Sequence, residues 1–125
     1  MTEITYPFGT ASIYENYVVF VMDEGITVSP EYNDYLLTIS TKYYAQRNFG
    51  YITKRVNSYS VDPRVYFETS KIENLVAFAV VSSENLRISV TKIEKLFLKK
   101  PFRHFNSMKK AIQWVNAIVE KSTVN

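Results

Sequence analysis

The chain has 125 residues, 46% hydrophobic and 22% charged, values that fit one globular domain and exclude wholesale disorder. It has no cysteine and one histidine, which excludes disulfide frameworks, thiolate zinc sites, thiol catalysis and multi-histidine metal centres. The net charge of +3 conceals an asymmetry: residues 1–41 hold six acids and no Lys or Arg, and residues 42–125 hold all fifteen bases against six acids.

In chain order, Thr10–Tyr14 and Tyr17–Met22 are β-rich runs separated by Glu15-Asn16, which predicts a hairpin. Ser29-Pro30 then supplies a capping oxygen and a proline suited to a helix start. Tyr32, Tyr35, Leu36, Ile39 and Tyr43 come next at the spacing of one helical stripe. Phe49–Lys54 reads as a strand and Asn57–Val61 as a polar loop. Asp62-Pro63 repeats the cap-plus-proline pattern and predicts a short helix to about Ile72.

Leu75–Val81 is apolar throughout, as expected of a strand buried on both faces. Ser82-Ser83 can cap a helix with Leu86, Val90, Ile93 and Phe97 inward, although Leu86–Val90 also alternates like a strand. Pro101–Phe105 is a short strand candidate. Asn106 or Ser107 caps a last helix with Met108, Ala111, Ile112, Val115, Ile118 and Val119 on one stripe. The order ββ-α-β-α-β-α-β-α predicts one α/β domain over residues 1–125. Its sheet is mixed and mainly parallel, with about five strands, an N-terminal hairpin and about four flanking helices.

The runs Tyr51–Pro63 and Leu75–Val81, with Lys99–Phe102 and Ala111–Val115, resemble the STAS superfamily. More closely they resemble its SpoIIAA-like branch of small bacterial proteins, relatives of the anti-sigma-factor antagonists. The resemblance implies a non-enzymatic regulatory or protein-interaction module with a protein partner or a homodimer. It also implies a phosphoacceptor serine after the third strand, for which Ser58 and Ser60 are the nearest matches. The usual Asp-Ser context is absent, and the alternative is that both serines bond local backbone. The wider fold group resembles CRAL-TRIO lipid carriers, so a small-ligand or lipid-binding module is the second reading.

Several residues are candidates for binding. The loop from Asn57 to Pro63 stands where a strand ends and a helix begins, a favoured place for anions, with Arg55 and Arg64 as cationic donors. Asp62 competes for the same N–H groups. A basic surface is expected from Lys92, Lys95, Lys99, Lys100 and Arg103, continued by Lys109 and Lys110. Arg47–Lys54 matches five of the seven specified positions of an RNA-recognition octamer. A helix precedes it and the strand is expected to be covered, so RNA binding is the third reading. His104 is expected to pack or to sit at a sheet edge. Asp23 and Glu24, adjacent at a strand end, point to opposite faces and form no catalytic pair. The tyrosine stripe is read first as core, then as a cavity wall or dimer face.

No P-loop, dinucleotide glycine pattern, zinc motif or nucleophile elbow is present, so no cofactor or metal is expected. The longest apolar runs fall far short of the roughly 20 residues that span a membrane. The opening residues Met1–Thr5 lack a basic segment followed by an apolar one, and a cytoplasmic protein is expected.

Overall fold

The computed structural model describes residues 1–45, 47–83 and 100–123. Six strands form the main sheet in the order β1-β2-β3-β5-β7-β8: β1 Thr2–Tyr6, β2 Gly9–Ile13, β3 Tyr17–Met22, β5 Phe49–Lys54, β7 Leu75–Val81 and β8 Phe102–Phe105. The first three pair antiparallel, and β3, β5, β7 and β8 run parallel. Two short strands, β4 Thr27–Val28 and β6 Ser60–Val61, form a separate parallel pair. The helices among the described residues are α1 Tyr32–Ile39, α2 Arg64–Thr69 and α3 Met108–Thr123.

The α/β class, the hairpin and the buried seventh strand are as the sequence predicts. The strand count is higher than the expected five, because β1 precedes the predicted hairpin, β4 lies between β3 and α1, and the polar loop contains β6. The helix expected from Ser82-Ser83 onward lies outside the described residues. The second helix stops at Thr69 instead of Ile72, and the chain reaches Ile72 by turns closed by Lys71 and Ile72 N–H groups on Glu68 and Thr69 carbonyls.

The first helix also departs from its predicted stripe. After Ile39 it widens into a π-helical turn, Ser40–Tyr44. A π turn inserts an extra residue per turn and so rotates the residues beyond it. Tyr44, not Tyr43, therefore becomes fully buried, stacked on Phe49 at 4.4 Å with its Oη donating to the Tyr14 carbonyl at 2.8 Å.

Alternation along the strands divides the core into two layers of different character. On one face Phe20, Tyr51 and Phe78 stack in a row beneath α1 and α2, at centroid distances of 5.2 and 4.5 Å. On the other, Ile52, Ala77, Ala79 and Val81 meet Ala111, Val115 and Val119 of α3. Small residues there bring α3 close to the sheet: a Cβ added to Gly50 would lie 2.1 Å from Val115 Cγ1. Between α1 and α2, Thr69 Oγ1 donates to Asn33 Oδ1 at 2.6 Å, and Asn33 Nδ2 donates to the Val65 carbonyl at 3.2 Å. These bonds satisfy the polar groups that the helix contact buries. No helix among the described residues is long and apolar enough to cross a membrane.

Candidate functional site

Because β3, β5, β7 and β8 are parallel, their carboxyl ends lie on one side of the sheet. In open α/β sheets the crevice beyond those ends is where ligands bind. The ladders continue just past the strands, with Arg55 N–H donating to the Val81 carbonyl at 2.8 Å and Ser82 N–H to the Phe105 carbonyl at 3.0 Å. Beyond them opens a cleft of about 700 Å³, walled by Glu24, Lys54–Ser58, Val81–Ser83, Asn106 and Met108.

The loop after β5 is a built wall. Asn57 Nδ2 donates to the Met22 carbonyl at 2.9 Å, and the Ser58 N–H donates to Glu24 Oε2 at 2.8 Å. The Gly25 N–H returns to the Ser58 carbonyl at 2.7 Å. Arg55 donates through Nη2 to the Tyr59 carbonyl at 2.8 Å, and its guanidinium lies 4.4 Å from the centre of the Tyr59 ring. Tyr59 is buried, and its Oη is 3.1 Å from Thr53 Oγ1. The β4–β6 pair extends this clamp, with Ser60 N–H on the Ile26 carbonyl and Asp62 N–H on the Val28 carbonyl.

The candidate loop residues therefore separate. Arg55, Asn57 and Ser58 line the cleft. Ser60 belongs to β6, outside it. Arg64 is bound to its own neighbour: its Nη2 lies 2.5 Å from Asp62 Oδ2, and its backbone N–H donates to Asp62 Oδ1 at 3.0 Å. The Arg64 side chain holds the Asp62 carboxyl below its ordinary range, chiefly through these hydrogen bonds. The anion site expected at the start of α2 is thus filled by Asp62, and Arg64 is not part of the cleft.

Sequence reading missed Lys54, Ser82, Ser83 and Asn106 as wall residues. The serines and the asparagine read as helix caps in the sequence, and Ser107 holds that place at α3, accepting the Lys110 N–H at 3.4 Å. The pattern that could have found them is positional: each sits within two residues of the end of a parallel strand.

Of the expected basic surface, Lys92, Lys95 and Lys99 lie outside the described residues. Lys100 is half-buried at the opposite end of the sheet, where its ammonium donates to the Ile72 carbonyl. Burial pushes its pKa down to about 8, partly countered by Glu73. Arg103 is exposed on β8 with its guanidinium 5.2 Å from the centre of the Phe105 ring. Glu3 on β1 and Arg103 on β8 occupy opposite edges of the sheet.

The aromatics of the RNA-like octamer are buried: Phe49 against Tyr44, and Tyr51 between Phe20 and Phe78. They offer no free face for base stacking. Tyr32 and Tyr44 of the tyrosine stripe are core, whereas Tyr35 remains 41% exposed. The gap bordered by Met22, Tyr32, Tyr51, Tyr66 and Phe78 is about 20 Å³, room for one water and not for a lipid chain. His104 sits on the edge strand β8, with Nε2 buried and without a hydrogen-bond partner among the described residues.

No protein-family model matches the chain, and no curated protein matches it. Among solved structures it is similar to an uncharacterised protein of the DUF3478 family with a SpoIIAA-like fold from Shewanella loihica PV-4. The TM-score is 0.53 at 11% identity, over 91% of this chain and 90% of that one. Identity that low speaks for fold and not for activity. The chain has a SpoIIAA-like fold, as the resemblance in its sequence implied.

Proposed function

We propose that the chain is a non-enzymatic regulatory module of the cytoplasm that binds a protein partner through the cleft at the carboxyl ends of its parallel strands. One observation carries this reading: the cleft of about 700 Å³ stands at the place where this class of sheet binds its ligands, with walls fixed by backbone bonds. Its polar groups are hydroxyls, amides, two cations and one carboxylate already bonded to the Ser58 N–H. Such groups recognise a surface. They do not form a nucleophile with an adjacent base. Walls ordered in advance reduce the entropy that association costs.

The test uses Ser83, which is exposed and lines the cleft. Ser83→Arg fills the cleft without entering the core. Tagged wild-type and Ser83→Arg chains are compared in their native cells by quantitative co-purification, with the melting temperature as a control for folding. The expected result is at least one protein depleted about tenfold by the substitution, a loss on the order of 1.4 kcal/mol, at unchanged melting temperature. Identical sets of bound proteins at unchanged melting temperature contradict the proposal.

A further inference from the structure

We propose that the cleft recognises a phosphate group, held by Lys54, Ser83 and Asn106. This rests on the reading of the cleft as the recognition surface and names the chemistry it takes. The polar groups of the walls fall into two sets. Asn57, Arg55 and Glu24 are spent on building the site, each bonded to backbone of the flanking segments. Lys54, Ser83 and Asn106, together with the Ser58 hydroxyl, line the same space, and these side chains have no hydrogen-bond partner among the described residues. Polar groups left over around a shared cleft are the ones available to a ligand.

Their chemistry selects the ligand. Lys54 and Arg55 outweigh Glu24, and Glu24 is tied through one oxygen to the Ser58 N–H, so the cleft favours an anion. A two-pronged guanidinium clamp, which suits carboxylate and phosphate alike, is not on offer, because that of Arg55 is committed to the Tyr59 carbonyl and ring. What remains is a point-charge ammonium at the end of β5, an amide beyond β8, and hydroxyls on the loops after β5 and β7. Donors approaching from separate elements suit the diverging oxygens of a tetrahedral phosphate better than the coplanar pair of a carboxylate. The cleft is far larger than one phosphate, and Val56, Val81 and Met108 give it an apolar share for the body that carries the group. That body is a small phosphorylated metabolite or a phosphorylated side chain of a partner. Both present the same phosphate monoester.

The experiment is a titration of the isotope-labelled full chain, followed by amide shifts, with inorganic phosphate and with acetate at matched ionic strength. Phosphate is expected to give saturable shifts in residues 54–58, 82–83 and 106–108, with a Kd on the order of 1 mM, and acetate none. Lys54→Ala is expected to weaken phosphate binding about tenfold, while Lys54→Arg stays within about threefold. Lys54 is exposed at a strand end, so neither variant threatens the fold. Glycerol phosphate and a phosphoserine peptide then separate the two sources, the true one binding more tightly than inorganic phosphate. Absence of saturable shifts, equal shifts with acetate, or binding indifferent to Lys54→Ala overturns the site. Phosphate binding without a Ser83-dependent partner sinks only the partner reading. A Ser83-dependent partner without phosphate binding sinks only this one.

Discussion

Gly50→Ala is expected to destabilise the chain by about 2–3 kcal/mol, the upper range for overpacking a core. The new methyl would lie 2.1 Å from Cγ1 and 3.4 Å from Cβ of Val115, a fully buried residue on α3. Valine has one side-chain torsion and no flexible end to swing away, so α3 must lift or the strand must shift. Val115→Ala alone leaves a small cavity and costs about 1–3 kcal/mol. Combined, the two changes exchange a methyl on one side of the interface for methyls on the other. The double variant is therefore expected to be more stable than the sum of the single losses by about 1–2 kcal/mol. Urea unfolding of the four chains measures this. Strict additivity would mean that α3 does not rest on β5 at Gly50.

Alkaline pH is expected to unfold the protein cooperatively. Tyr32 and Tyr51 are buried with their hydroxyl oxygens 2.5 Å apart, and burial raises both well above the ordinary value of 10.0. Burial also raises Tyr44, and pushes Tyr66 to about 12. The folded chain therefore keeps protons that the unfolded chain releases. The stability this represents is fully present below pH 10, where both states are protonated, and is lost as pH rises through 10 toward the folded values. Each such group costs about 1.4 kcal/mol per pH unit in that window. Tyr32 and Tyr51 alone remove about 3 kcal/mol per unit, a large share of the roughly 5–15 kcal/mol typical of a domain. Near-ultraviolet circular dichroism and the buried tyrosines' share of the tyrosinate absorbance should change together in one steep step above pH 10. A tyrosinate titration complete before the dichroism changes would contradict the buried pair.

The sequence disclosed most where burial was all or nothing. Leu75–Val81 is apolar at every position because helices cover both faces of β7. The β2–β3 hairpin was legible from Glu15-Asn16 between two β-branched runs. β1 was not, because an edge strand needs only Ile4 and Tyr6 on its inner face, and two half-buried residues are a weak pattern. Tyr44 was hidden for another reason: stripe arithmetic assumes a constant period, and the π turn breaks it.

The site was half legible. Strand end followed by polar loop placed Arg55, Asn57 and Ser58 in the cleft. The same logic failed for Arg64, because Asp62 is near enough to take both its side chain and its N–H. Lys54, Ser83 and Asn106 were invisible as a group, since only the parallel pairing of β5, β7 and β8 brings together residues about 20–50 positions apart.

The most direct test of the cleft as the recognition surface is site-specific photo-crosslinking in native cells. A photoreactive residue at Val56, on the cleft wall and 61% exposed, is compared with one at Leu37, on α1 and 53% exposed. A discrete covalent adduct is expected from Val56 and none from Leu37. Adducts from Leu37 alone, or the same adducts from both positions, would contradict a partner bound in the cleft.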